Sequence, residues 1–380
     1  MNRLTNSEKI YYSRHLTLPE IGESGQQNLK KARVLVVGAG GLGVPVLQYL
    51  AAAGVGTIGI VDYDRVEIHN LHRQVLFGMA DVGHLKAETA KEKLESQNPH
   101  IQIFAITEKL TSANALGIFK EYDLIVDCTD NFPARYLIND ACLITGLPFI
   151  YGSIFKFEGQ IALFNAVNQD GNRGPNYRDL YPDPPPPDLI PNCAEAGVLG
   201  VLPGIIGSLQ ANEAIKLITG IGESLNGKLL LFDALSLKTQ LISIPTSTET
   251  KIPEKLIDYD QFCGYPSSLT EESFDPDIDE ISYPDAISLS NDETPVQWID
   301  VREENEHNSM NLGGTLIPLG QLSDRIDEID KNGKVIVYCQ TGQRSADAIR
   351  FLKKEHGYEN LYNLKGGILA ALQDKETDIS

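Results

Sequence analysis

The run Arg33-Val-Leu-Val-Val-Gly-Ala-Gly-Gly-Leu-Gly43 constrains this chain more than any other stretch. Val34 to Val37 is continuously apolar, as a parallel strand buried on both faces must be. The run breaks into glycines and resumes as Val44-Pro-Val-Leu-Gln-Tyr-Leu-Ala-Ala-Ala-Gly54, with apolar positions at helical spacing and a glycine suited to a helix stop. Gly38, Gly40 and Gly43 fit G-x-G-x-x-G, a pattern that turns the backbone sharply, lets a phosphate approach and packs helix on strand. A second apolar strand, Thr57 to Val61, delivers Asp62 about twenty residues further on, where such folds hold a ribose hydroxyl. Together these features predict a doubly wound α/β domain with a nucleotide site.

At 380 residues the chain exceeds the usual single domain, so two domains with separate cores are expected. A net charge of −20 and a pI near 4.7 oppose nucleic acid and anionic lipid as partners, so basic clusters are expected to be local sites. No apolar run approaches the roughly eighteen residues of a membrane span, and no basic-then-apolar leader precedes the first domain; a soluble, cytoplasmic protein is expected. The five cysteines, at 128, 142, 193, 263 and 339, are odd in number and scattered, unlike a disulfide framework.

Residues 5 to 30 read as a helical arm outside the sheet. After Asp62 comes a polar stretch, Tyr63 to Gln74, dense in side chains that hold phosphate, and then an amphipathic helix beginning near Lys86. Asp123-Leu-Ile-Val-Asp-Cys-Thr-Asp-Asn131 is a buried strand whose polar end makes Asp130 and Asn131 site candidates, because open α/β sheets bind ligands at that edge. Cys128 and Cys142, among apolar neighbours, read as core residues. A helix is expected from Phe132 to Thr145, strands near 148–152 and 160–164, and an irregular surface crossing over Asn168 to Asn192. Cys193 follows, ahead of a helix from Val201 to Thr219, a setting that favours a reactive thiolate. Strands at Lys228–Ala234 and Lys238–Ile244 close a first domain of residues 1–245.

Residues 246–279 read as a linker by composition. In the second domain, 280–380, Val296 to Val301 is a strand, Leu319 to Ile329 a helix, and Lys334 to Tyr338 a buried strand running into Cys339-Gln-Thr-Gly-Gln-Arg344. That cysteine heads a loop whose backbone N–H groups and following helix can surround an anion, a setting for nucleophilic sulfur chemistry in which Gly342 and Arg344 have a purpose.

With these motifs in view, residues 1 to about 245 resemble the MoeB/ThiF/HesA family of activating enzymes for ubiquitin-like sulfur carriers. The residues after about 280 resemble a rhodanese domain, the fused arrangement of MoeZ-type and MOCS-type proteins. The resemblance rests on Tyr12-Ser-Arg-His, Gly38-Ala-Gly-Gly-Leu-Gly, Asp62-Tyr-Asp-Arg-Val, Asn70-Leu-His-Arg-Gln, Gly83-His-Leu-Lys, Asp127-Cys-Thr-Asp-Asn-Phe and Cys339-Gln-Thr-Gly-Gln-Arg. It implies a Rossmann-like activating-enzyme domain with a small α/β rhodanese domain. It implies adenylation by ATP of the C-terminal Gly-Gly carboxylate of a MoaD- or ThiS-type carrier, for molybdopterin, thiamine or another thiolation pathway. On that resemblance Gly41 and its neighbours touch the phosphates, Asp62 the ribose, Asn70, Arg73 and Lys86 the phosphates, Gln74 belongs to the same cofactor-binding set, and Asp130 holds Mg²⁺. Arg14 matches an arginine that reaches the other subunit's ATP, implying a homodimer. Cys193 matches a cysteine thought to bond the carrier. Cys339 matches the persulfide cysteine, loaded by a donor such as a cysteine desulfurase. The family's structural zinc uses two C-x-x-C pairs; here the positions read Asn176, Asp179, Asp260 and Cys263, so the zinc is expected to be absent.

Two other readings remain open from residues alone. An NAD-dependent oxidoreductase with an appended domain accounts for the glycines and Asp62 but gives Arg73, Lys86 and the Cys339 loop nothing to do. A non-catalytic carrier-binding scaffold requires degenerate site residues, and these are intact.

Overall fold

A computed structural model describes residues 3–168, 171–185, 197–245, 252–264, 278–290 and 295–377. The chain divides into two compact units, Met1–Ser268 and Leu269–Ser380.

The first unit is an eight-stranded sheet in the order β3-β2-β1-β4-β5-β6-β7-β8. Its strands are β1 (Arg33–Val37), β2 (Thr57–Val61), β3 (Gln102–Ile106), β4 (Leu124–Asp127), β5 (Phe149–Phe155), β6 (Glu158–Phe164), β7 (Lys228–Asp233) and β8 (Lys238–Ser243). The first five run parallel and the last three return antiparallel. The continuous apolar run of β1 has its expected cause: Val34 and Val36 enter the core on one face, Leu35 and Val37 the core on the other. Each such side chain contributes about 1.5–3 kcal/mol of burial. Helices Gly22–Lys31, Gly43–Ala53, Lys86–Gln97 and Leu202–Thr219 supply the first face, Ala115–Phe119 and Phe132–Thr145 the second. Strand order reverses between β1 and β4, and at such a switch point the loops diverge and leave a crevice.

Two expectations are corrected. The crossing after Asn168 is not wholly irregular: Tyr177–Leu180 is a short helix, with Asn176 capping it and Tyr177 buried. Nor is all of 246–279 a linker by its packing. Residues 252–264 lie in the first unit, where the helix Tyr259–Phe262 packs on Phe132–Thr145 and buries Tyr259 and Cys263. Composition hid this, because three or four aromatic and apolar residues suffice to dock a single turn of helix. Asp279, placed at the linker's end, opens a strand.

The second unit is a parallel sheet ordered β11-β10-β12-β13-β9. Its strands are β9 (Asp279–Ile281), β10 (Val296–Asp300), β11 (Thr315–Leu316), β12 (Lys334–Tyr338) and β13 (Leu361–Leu364). In β12 Val335 and Val337 face one core, Ile336 and Tyr338 the other. The helix expected over Leu319–Ile329 is two 3₁₀ turns, Leu319–Asp324 and Ile326–Glu328, interrupted at Arg325. Strands β9, β11 and β13 were invisible to the period-two test because each has four residues or fewer.

Candidate functional site

The glycine turn leaves β1 at the switch point. A Cβ on Gly43 would overlap the Gly38 carbonyl oxygen, so only glycine lets the helix Gly43–Ala53 start against the strand end. That helix has no side-chain cap, leaving its positive end for an anion. Asp62 fastens the turn: one oxygen accepts the Ala39 N–H at 2.7 Å and the other the Asp64 N–H at 2.8 Å. Burial pushes its carboxyl up in pKa and the nearby Lys86 charge pulls it back, with a net rise.

Around the turn stand the groups the sequence singled out. A Cβ on Gly41 would sit 3.0 Å from Pro203 and 3.6 Å from Arg73 Cγ, so the arginine stem lies along the turn. Arg73 Nη1 donates to the His69 carbonyl at 2.8 Å and lies 3.0 Å from His72 Nε2. Arginine only donates, so that ring nitrogen accepts. Burial, then the Arg73 charge, accordingly lower the His72 pKa. Lys86 opens the helix Lys86–Gln97, is 6% exposed, and donates to Asp64 Oδ2 at 2.9 Å. Asn70 is buried, and its carbonyl accepts the N–H groups of both Arg73 and Gln74. Gln74 is buried beside Gly40, and its Oε1 has no partner among the described residues. An orphaned buried acceptor next to a glycine turn marks a place where a bound molecule supplies the missing donor.

Across the crevice, Gly38 packs on the Cys128 carbonyl. The fully buried Asp127 accepts both the Thr129 N–H (2.9 Å) and hydroxyl (2.7 Å), while Arg135 Nη2 donates to the Thr129 carbonyl at 3.3 Å. Thr129 is thus held on both sides and presents Asp130, which is exposed. Asn131 serves first as a cap: its Oδ1 accepts the Ala134 N–H at 3.0 Å and starts the helix Phe132–Thr145. Arg14 is exposed on the helix Ser13–Leu16, and no hydrogen bond or ion pair among the described residues joins it to the turn. Cys193 lies outside the described residues. Beyond it, Leu199 N–H donates to the Lys156 carbonyl at 3.0 Å, and Gly200 packs against His72.

In the second unit Cys339 follows β12 and is 1% exposed. The Gly342 N–H points at its Sγ from 3.2 Å, and Ser345 Oγ lies 3.5 Å away while bonding Asn363 Oδ1 at 2.6 Å. Gly342 has φ +96°, which glycine adopts without strain, and caps the helix Gln343–His356. The loop's outer ends are also held. Arg344 meets both oxygens of Glu306, at 2.7 and 2.8 Å, and Gln340 Oε1 accepts from Arg302, itself locked to Asp300.

Asp64, Glu306 and Arg302 were not foreseen. Asp64 was legible as the second acid of Asp62-Tyr-Asp64, whereas Glu306 lies about forty residues from its partner, beyond any spacing rule.

The four positions of the zinc pattern do not suit a tetrahedral metal. Asn176 and Asp179 bond each other, with the Asn176 N–H and Nδ2 both donating to Asp179 Oδ2 at 2.9 and 2.8 Å. Cys263 is the single thiol among the four positions, one soft ligand where a tetrahedral zinc ion takes several sulfur or imidazole donors. Between them Arg178 forks onto Asp140 with two 2.8 Å bonds, and Tyr259 O–H donates to the same carboxylate at 2.8 Å. No cluster of three or more His, Cys, Asp or Glu able to hold a metal occurs among the described residues. No described helix is long and apolar enough to cross a membrane.

Comparison with known proteins bears on both units. Residues 12–253 match the ThiF family, and residues 283–374 match the rhodanese-like domain. The chain is 44% identical over 379 residues to the probable adenylyltransferase/sulfurtransferase MoeZ of Mycobacterium tuberculosis, covering 99% of this chain and 96% of the relative. It is 50% identical over 268 residues to the sulfur carrier protein adenylyltransferase of Thermus thermophilus, covering 69% of this chain and 99% of that one. Against the adenylyltransferase and sulfurtransferase MOCS3 of Drosophila grimshawi identity is 39% over 388 residues, covering 97% and 85%. Among solved structures, E. coli MccB with ATP aligns with a TM-score of 0.55 at 23% identity, covering 64% of this chain and 73% of that one, a likeness of fold.

Proposed function

The chain belongs to the ThiF family and carries a rhodanese-like domain behind it, and from that premise we propose that it adenylates a small sulfur-carrier protein and supplies the sulfur that replaces the adenylate. The oxidoreductase and scaffold readings have no support among the relatives. The observation that carries the proposal is the convergence of Arg73 and Lys86 on a glycine turn whose helix end is uncapped. Hydride transfer needs no such cations; expelling pyrophosphate does, because charge builds on the leaving oxygens.

In this reading the carrier's terminal Gly-Gly carboxylate attacks the α-phosphorus of ATP, the bond to the bridging oxygen breaks, and pyrophosphate departs. The glycine turn from Gly38 to Gly43 bears the phosphates, and Asp62 addresses the ribose. Arg73 and Lys86 exchange their protein acceptors for phosphate oxygens. Asp130, an exposed oxygen donor at the strand's end, suits Mg²⁺, a hard cation that takes one or two carboxylates plus substrate phosphates. When bound, that ion neutralises charge on the leaving group. Arg14 acts on a second copy's nucleotide, which makes the working form a homodimer; the cytoplasm is the compartment we propose for it. Cys339 accepts sulfur from a persulfide donor such as a cysteine desulfurase. The terminal persulfide sulfur then displaces AMP from the carrier's acyl group, and attack by a thiol on the resulting acyl disulfide frees the thiocarboxylate, leaving a disulfide. Cys193 is the candidate for that thiol, and the fold closes without zinc.

ATP–pyrophosphate exchange dependent on a Gly-Gly-ended carrier tests the first half. Mixing Arg14→Ala with Lys86→Ala chains tests the dimer: regained exchange supports Arg14 acting in trans, and none refutes it.

A further inference from the structure

The loop Cys339 to Arg344 contains one cation, Arg344, and both nitrogens of its fork are taken by Glu306. The pair is largely buried, with side-chain exposures of 14% and 20%. Burial pushes the Glu306 carboxyl up, but bonds from Arg344 and from the Glu303 N–H outweigh it and hold the group below its ordinary range. The neighbouring guanidinium, Arg302, is compensated in the same way by Asp300, which also faces His307. Residues 300–307 and 339–345 together carry Asp300, Glu303, Glu304 and Glu306 against Arg302 and Arg344. Both guanidiniums beside the loop are thus taken up by carboxylates, and the Cys339 sulfur itself is served by the backbone N–H of Gly342.

Sulfur donors differ in what has to leave. With a persulfide R–S–SH, the deprotonated Cys339 sulfur attacks the terminal sulfur and the S–S bond breaks. R–S⁻ departs and takes up one proton, and Cys339–S–SH remains; no outside oxidant enters. With thiosulfate the same attack expels sulfite, a dianion, from a substrate that is itself a dianion. We propose that Glu306 is a specificity-determining residue, which by neutralising Arg344 turns the loop away from dianionic inorganic donors and toward persulfides whose leaving group carries a single charge. The inference rests on the reading of Cys339 as the sulfur-accepting nucleophile.

The full chain is exposed to thiosulfate or to 2-hydroxyethyl persulfide, and the gain of one sulfur on the Cys339 peptide is followed by mass spectrometry. Glu306→Gln should raise the thiosulfate-to-persulfide rate ratio about tenfold, the effect of removing one charge from a partly desolvated pair. Salt supplies a readout that a merely structural role would not move. In the unaltered chain added salt should speed the thiosulfate reaction by screening repulsion, and in Glu306→Gln it should slow it by screening attraction to Arg344. A ratio unchanged within about twofold overturns the proposal, as does a thiosulfate reaction of the unaltered chain that slows with salt. Should the variant not fold, Arg344→Gln, which removes the other half of the pair, takes its place: a thiosulfate-to-persulfide ratio unchanged within about twofold supports an Arg344 already neutralised by Glu306, and a ratio lowered about tenfold overturns the proposal. If neither donor loads Cys339, the reading of that cysteine falls, and this inference with it.

Discussion

The glycine turn after β1 and the cysteine loop after β12 are built alike and hold their charges differently. Each leaves a central parallel strand where strand order reverses, and each runs into a helix without a side-chain cap. In the first, the cations come from outside the loop and rest on exchangeable partners. Arg73 leans on a carbonyl and a neutral ring nitrogen, and Lys86 on Asp64, whose side chain is 52% exposed. In the second, the cation belongs to the loop and is fixed by a mostly buried carboxylate. A site whose substrate brings the negative charge keeps its cations ready to change partners. A site that brings its own sulfur nucleophile keeps them occupied.

The sharpest way to break this comparison is to abolish one loop and watch the other. Gly43→Ala forces a methyl group into the Gly38 carbonyl and should reduce pyrophosphate exchange by more than about a hundredfold while sulfur loading of Cys339 persists. Cys339→Ser should do the reverse. Loss of both activities in either variant would show that the two loops are not independent.

Next in size is the packing that supports the first loop's unit. Asp140→Ala removes the acceptor shared by Arg178 and Tyr259 and strands a half-buried guanidinium, for a loss of about 3 kcal/mol. Trp298, the chain's single tryptophan, lies in the second unit, so its fluorescence transition should not move while tyrosine near-UV dichroism reports earlier melting of the first. A shift of both transitions together contradicts this.

A smaller effect separates exchangeable from fixed cations. Asp64→Asn should slow exchange only about tenfold, well short of Lys86→Ala, because the lysine's final partner is phosphate and Asp64 holds it only beforehand. Equal losses would make Asp64 part of the reacting ensemble. Smallest is a pH effect in the second unit. Glu306 has a folded pKa below its ordinary 4.5, so its contribution to stability is full above that value and is lost as pH falls through the folded value. The stability gap between the unaltered chain and Glu306→Gln, read by Trp298 in denaturant titrations, should therefore close on acidification below about pH 4.5. A gap that persists at pH 2 removes the ion pair as its source.

Sequence legibility followed local periodicity and failed where contacts are remote. β1, β2 and β12 and the helix Phe132–Thr145 were readable to within a residue because each carries its own pattern and stop signal. The glycine turn, Arg73, Lys86, Asp130 and Cys339 sit at fixed offsets from those elements, so their places in the fold were readable along with them. The clamp of Asp127 and Arg135 on Thr129, the capture of Arg344 by Glu306 and the docking of Tyr259 were not, because each joins side chains through the tertiary fold. Asn131 was read only as a ligand candidate, and the structure adds a capping bond to the next helix that the sequence reading did not name.

The cluster of Arg178, Asp140 and Tyr259 has a chemical consequence of its own. It ties the segment around residue 178 and the turn at 259–262 to one helix with nitrogen and oxygen groups alone. Zinc-bound thiolates in that place would be nucleophiles in their own right, able to intercept sulfane sulfur or be capped by it, and each such side reaction would loosen the scaffold. Cys263, packed in the same core, is 3% exposed, and burial holds it in its unreactive protonated form. A tie made of nitrogen and oxygen groups offers sulfane sulfur no thiolate to attack, so this part of the first unit keeps its packing whatever sulfur species the second unit carries.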